Sequence, residues 1–217
     1  MPYSTLFFDL DDTIYPSTSG LWPAIRERMG RYMWERLNLP KEDVPHLRKF
    51  YFETYGTTLR GLQIHHGVDA NDYLAYVHDL PLNAYIHRDP PLKEMIKSLP
   101  QSKWIFTNAD DMHARRVLAE LDLTDCFYGI IDVRAIQFAC KPEVVAYQRA
   151  MALAGEPEPS NCVLLDDSPR NLGPARQLGF FTILVGTNAA DASACLSLAS
   201  LIELPSAMPE LWNGRPK

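Results

Sequence analysis

Residues 7–15 read Phe7-Phe8-Asp9-Leu10-Asp11-Asp12-Thr13-Ile14-Tyr15, and this stretch decides the fold. The run from Thr5 to Leu10 is almost wholly apolar. That is the mark of a strand covered on both faces. It ends in the carboxylates Asp9, Asp11 and Asp12. In an open parallel sheet, the carboxyl ends of the strands are where ligands bind. Carboxylates this close repel one another, so they need a nearby cation or else take up protons. A hard cation such as Mg²⁺ suits oxygen ligands and keeps positions open for further oxygens. The same residues also suit an acidic turn that caps a helix, and the rest of the chain must choose between the two.

Working outward, Lys103 to Thr107, Gly129 to Val133, Cys162 to Leu165 and Phe180 to Val185 read as further buried strands. Helical spacing separates them. Met112 to Leu121 aligns Val117, Leu118 and Leu121; Glu143 to Leu153 aligns Val144, Tyr147 and Met151; Pro174 to Leu178 is stopped by Gly179. Strands alternating with helices predict an α/β fold with a doubly wound, Rossmann-like parallel sheet. Pro16 to His87 breaks the alternation. Helices are expected there over Trp22 to Leu37, Val44 to Tyr55 and Ala70 to His78, punctuated by Pro40, Gly56, Gly67 and Pro81. The organisation expected is a core of residues 1–15 and 88–217, with a helical domain of residues 16–87 inserted after the first strand. Beyond Thr187 the pattern suggests a helix over Cys195 to Ile202, then irregular chain around Pro205, Pro209 and Pro216.

A chain of 217 residues can bury a substantial core without staples. Its net charge of −6 argues against a nucleic-acid polymer or an anionic membrane as partner. An anionic substrate therefore needs a locally positive site. Cys126, Cys140, Cys162 and Cys195 form no C-x-x-C pair and read as reduced thiols. With no secretory start and no membrane-length apolar run, a cytoplasmic location is expected.

Three further sites carry chemistry. Thr107 and Asn108 follow the second strand and lead into a helix, where a hydroxyl and N-terminal N–H groups can hold a phosphate. Lys141, in Cys140-Lys141-Pro142, can neutralise a phosphate or a nucleophile. Asp166 and Asp167 end another strand and repeat the logic of Asp9 and Asp11. Each alone suits a plain cap or polar loop. Taken in order, D-L-D-D-T, T-N, K-P and D-D resemble the haloacid dehalogenase superfamily, over Leu6 to about Gly186. Further segments resemble its pyrimidine 5′-nucleotidase branch: Y-G-T-T-L-R-G-L, V-H-D-L-P-L, I-F-T-N-A and H-A-R-R-V-L.

The resemblance implies a Mg²⁺-dependent phosphomonoester hydrolase. Asp9 matches the nucleophile and Asp11 the general acid/base, whose acid role calls for a raised pKa. Mg²⁺ would lie among Asp9, the Asp11 main-chain carbonyl, Asp166 and Asp167, with Asp167 favoured as the direct ligand. Thr107, the Asn108 backbone and Lys141 would grip the phosphoryl oxygens. Residues 16–87 match a cap that closes over the site, with Gly56 to Gly61 pointing inward and Arg60 a substrate contact. Tyr51, Phe52, Tyr55 and Tyr73 are available for stacking on a base. The expected substrate is a small-molecule phosphomonoester, UMP or CMP, and the protein a monomer or homodimer. Phosphoglycolate or sugar-phosphate hydrolysis, phosphomutase chemistry, 2-haloacid dehalogenation and an idle binding protein are the alternatives. Asp11 and the second acid pair speak against dehalogenation.

Overall fold

The computed structural model describes residues 3–213. Six strands form one sheet: β1 (Thr5–Phe8), β2 (Ser102–Phe106), β3 (Gly129–Ile131), β4 (Cys162–Asp166), β5 (Phe181–Val185) and β6 (Leu196–Leu198). The order is β3-β2-β1-β4-β5-β6 and every pairing is parallel. β1 lies at the centre, with Phe8 opposite Ile105 on one side and Leu165 on the other. This register brings the ends of β1, β2 and β4 to one level, and that level is where Asp9, Thr107 and Asp166 emerge.

Both faces of the sheet are covered, which explains the continuous apolar runs. Leu6 and Phe8 face one core, closed by α5 (Pro90–Ser98), α6 (Asp111–Glu120) and α9 (Leu204–Ala207). Phe7, between them, faces the other, closed by α7 (Val144–Ala154) and α8 (Pro169–Leu178). The alternation is the pleat itself.

Four helices occupy the segment after β1: α1 (Leu21–Glu35), α2 (Val44–Tyr55), α3 (Thr58–His66) and α4 (Ala70–His78). They share a hydrophobic cluster of their own that includes Tyr32, Met33, Tyr51, Leu62, Tyr73 and Val77. α2 and α3 meet closely at Gly61. A Cβ there would lie 2.3 Å from Cγ of Tyr51, so the absence of a side chain sets that contact.

Several expectations need correction. Cys195 to Ile202 is not a helix: Leu196–Leu198 pair with β5 as the edge strand, and a 3₁₀ turn follows at Leu201–Glu203. α3 and α5 were not anticipated. α8 starts at Pro169, five residues earlier than expected, and tolerates Pro174 within it. Val144 is exposed, so Tyr147 and Met151 carry the apolar face of α7. Pro205 lies in α9 and Pro209 opens a 3₁₀ turn, in place of irregular chain. Pro216 lies outside the described residues. No helix among the described residues is long and apolar enough to cross a membrane.

Candidate active site

Lys141 organises the site. Its ammonium is buried and donates to Asp9 Oδ1 at 2.7 Å, Asp166 Oδ2 at 2.7 Å and the Phe106 carbonyl at 2.8 Å. That uses all three of its hydrogens. Burial alone would lower the Lys141 pKa, but Asp166 and Asp9 outweigh it and hold the amine protonated. Lys141 does not stand at a strand end. β3 stops at Ile131, and the lysine arrives on the loop before α7. Asn108 fixes that loop. Its Oδ1 accepts from the Lys141 N–H at 2.8 Å, and its Nδ2 donates to the Lys141 carbonyl at 2.9 Å. The Asn108 side chain therefore positions Lys141, a role not read from the sequence.

Asp9 follows β1, and its backbone N–H extends the ladder to the Leu165 carbonyl. Thr13 donates to Asp9 Oδ2 at 3.3 Å. Burial raises the Asp9 pKa well above the usual carboxylate range; Asp166 and Asp167 add to the rise and Lys141 opposes it. Asp166 is fully buried, held also by Asn171 Nδ2 and the Ser168 N–H. Asp167 is pushed up to about 7, first by burial and then by the charges of Asp166 and Asp12. Carboxylate oxygens of Asp9, Asp166 and Asp167 lie within 4.8 Å of one another. This all-oxygen donor set, in which burial and then neighbouring charge raise Asp9 and Asp167, can hold a hard cation.

Asp11 departs from expectation. Its pKa is not raised: burial pushes it up, but the net shift is downward because His113 and Tyr15 oppose burial. His113 Nε2 lies 2.9 Å from Asp11 Oδ1, and the Tyr15 hydroxyl donates to the same oxygen at 2.5 Å. The Asp11 side chain thus faces an imidazole and a phenol. Asp12 takes a left-handed backbone, φ 59°, as befits a turn residue. Its pKa is raised to about 6, by burial first and the Asp11 charge second.

Thr107 is buried at the end of β2, and its hydroxyl accepts from the Ala109 N–H at 3.0 Å. Arg60 is exposed on α3, outside the Lys141 cluster. Its charge reaches the neighbouring loop, where it helps to lower the Cys140 pKa against the larger, raising effect of burial. Gly56, at the head of the G-T-T-L-R-G segment, abuts the same loop with φ 85°; a Cβ there would meet Cys140 Sγ at 2.7 Å. The four cysteines are free thiols.

Two histidines join the site without having been read as site residues from the sequence. His78, at the end of α4, and His113, in the first turn of α6, are both buried, and their rings stack at 4.0 Å. His78 Nδ1 pairs with Asp110 Oδ1 at 3.1 Å. Arg116 donates to the carbonyls of His78 and Leu80, and Arg170 donates to those of Phe52 and Glu53. The helical group is thus tied to the sheet on two sides of the site. A cavity of about 480 Å³ opens beside the stack, lined in part by Arg28, Tyr76, His78, His113 and Arg116. Of the aromatics offered for base stacking, Tyr73 is buried against Tyr32, and Tyr55 is bonded to His65. Phe52 lies beneath the Arg170 guanidinium at 4.6 Å.

Known proteins resemble this chain in sequence or in fold. "Phosphate metabolism protein 8" of Saccharomyces cerevisiae is 27% identical over 187 residues, covering 80% of this chain and 58% of that protein. The chain thus spans little more than half the length of that curated relative. Among solved structures, the magnesium-bound HAD-hydrolase YfnB of Bacillus subtilis superposes with TM-score 0.65 at 17% identity, over 96% of this chain and 100% of that one. A HAD phosphatase from Thermococcus onnurineus gives 0.62 at 18%, over 94% and 96%. At such identities these likenesses speak for the fold alone. The family model for haloacid dehalogenase-like hydrolases matches residues 3–179, which takes in β1, Asp9, Lys141 and the Asp166–Asp167 pair, and the chain belongs to that family.

Proposed function

We propose that this chain is a phosphatase that cleaves small phosphomonoesters through an aspartyl-phosphate on Asp9. The observation that carries this reading is the Lys141 ammonium bridging Asp9 and Asp166, with Asp167 beside them. Such a site holds a carboxylate nucleophile beside positive charge, which is what an incoming phosphoryl group needs.

In the first step an Asp9 oxygen attacks phosphorus and the bond to the ester oxygen breaks. Asp11 acts through its protonated fraction, which the lowered pKa keeps small near neutral pH; it gives that proton to the ester oxygen, and the alcohol leaves. Water then attacks the aspartyl-phosphate and passes a proton to Asp11, releasing phosphate and restoring the Asp9 carboxylate. Thr107 and the Asn108 backbone hold the phosphoryl oxygens, and Lys141 joins them by exchanging one of its three present partners for a phosphoryl oxygen. Mg²⁺ is the cation that Asp9, the Asp11 main-chain carbonyl, Asp166 and Asp167 would hold; when bound it neutralises charge on the phosphate and the carboxylates. Residues 16–87 act as the cap. The segment resemblances favour UMP and CMP as substrates, with Arg60 and the cap choosing among them. The free thiols suit the cytoplasm, which is the location we assign.

The deciding experiment is phosphate release from UMP, CMP, AMP, phosphoglycolate and glucose phosphates, with Mg²⁺ and with EDTA. The expected result is Mg²⁺-dependent release, fastest with UMP and CMP. Preference for phosphoglycolate or glucose phosphates discards the nucleotide assignment, and release in EDTA equal to that in Mg²⁺ discards the metal. Affinity for Mg²⁺ carries its own prediction. Asp167, at about 7, must lose its proton to serve as ligand, so binding measured by thermal shift or calorimetry should strengthen as pH rises, by roughly tenfold per unit below that value. Affinity unchanged between pH 5 and 8 would remove Asp167 from the ligand set.

A further inference from the structure

Two buried donors converge on one oxygen of Asp11. His113 and Tyr15 both reach Oδ1, and no hydrogen bond to Oδ2 occurs among the described residues. The carboxyl is therefore pinned through one oxygen, and the other is left to exchange a proton with substrate. The His113 ring is itself fixed. Its face lies against His78 with an interplanar angle of 15°, and His78 is anchored by Asp110, which also accepts from the His113 backbone N–H. The series runs from α4 of the helical group, across the boundary with the sheet domain, to Asp11.

Oδ1 accepts whether or not Oδ2 carries the Asp11 proton, so Nε2 of His113 carries the hydrogen. Nδ1 is then left buried without a partner. A buried, unsatisfied polar atom is destabilising. A phenyl ring would fill this space without that cost. It would also give up the bond to Asp11, so that contact is what a histidine serves here.

We propose that His113, backed by the α4 residue His78, is a positioning residue that seats Asp11 for proton transfer to the leaving group. The inference rests on the Asp11 role proposed above. It ties the helical group to the chemistry, since a shift of α4 moves His78 and with it the face against which His113 is held.

Leaving-group dependence tests the proposal. An alkyl monoester needs its departing oxygen protonated; p-nitrophenyl phosphate, with an acidic phenol, needs this far less. kcat/KM is the right quantity because it reports steps up to formation of the aspartyl-phosphate. For His113→Phe, the expected result is a drop of about 30-fold or more with UMP, or with whichever alkyl monoester the wild-type protein turns over fastest. With p-nitrophenyl phosphate the drop should stay under about threefold. His113→Gln, which keeps an N–H near the Nε2 position, should recover most of the loss. If His113→Phe does not fold, His113→Ala carries the same expectation. Equal losses on both esters, or no loss on either, overturn the proposal. Absence of wild-type turnover on every ester would instead overturn the phosphatase reading itself.

Discussion

Asp9→Asn should lose phosphatase turnover by a factor on the order of 10⁴ or more while keeping its fold. The substitution is isosteric, so Thr13 and the Leu165 carbonyl can keep their contacts with residue 9. An amide, however, does not attack phosphorus. The stability cost is moderated by Asp166. Deleting one partner of a buried ion pair is severe when it strands the other charge, but Lys141 retains Asp166 at 2.7 Å and the Phe106 carbonyl at 2.8 Å. The checks are phosphate release on the best substrate, circular dichroism melting, and intact-mass spectrometry of protein quenched in acid during turnover. The wild-type protein should show a phosphorylated species that the variant lacks. Turnover within tenfold of wild type, in a variant whose composition is verified, would end the case for Asp9 as nucleophile.

The core was legible because its signals are local. Thr5–Phe8 is buried on both faces, so a strand between two layers could be read directly from its lack of alternation. The chemical residues were legible for a similar reason, since a carboxylate or hydroxyl just past such a run must stand at the sheet's rim. Elements that depend on distant partners were not. α3 is capped by Thr57, begins at Thr58 and contains Gly61, a weak helix sequence that holds because Tyr51 of α2 lies over the glycine. Leu196–Leu198 is too short to reveal its period and becomes a strand because β5 offers it an edge. The seat of Asp11 was hidden for the same reason. His113 is 102 positions away in sequence, and nothing near Asp11 announces it. From Asp11's neighbours alone, crowding with Asp9 and Asp12 predicts a raised pKa. The fold supplies an imidazole and a phenol instead, and the net shift reverses.

Lys141→Met removes the only side-chain cation that touches Asp9 and Asp166 among the described residues. Methionine approximates the length of the lysine, so the loss is mainly one of charge. Asp9, Asp166 and Asp167 would then share a small volume with no positive charge among them. Breaking a buried pair in this way costs about 3–5 kcal/mol, and at least part of that should appear as lower resistance to urea. The pH dependence has a definite sign. Without the ammonium, these carboxyls hold their protons more tightly in the folded chain than in the unfolded one. The folded state then binds more protons wherever the unfolded carboxyls have ionised, so stability falls as pH rises from about 4. The gap to wild type should therefore be small near pH 4 and widest near pH 8, once the folded-state groups are forced to ionise. A divalent cation should narrow the gap at pH 8, because it restores positive charge where the ammonium was lost. Activity should not follow, since Lys141 is also assigned to the phosphoryl oxygens, and a loss of about 10³-fold is expected even with Mg²⁺ present. Urea unfolding at pH 4.5 and pH 8, with and without Mg²⁺, separates the two effects. A variant equally stable at both pH values, relative to wild type, would mean that Lys141 does not offset the carboxylates and that the three acids share charge by another route.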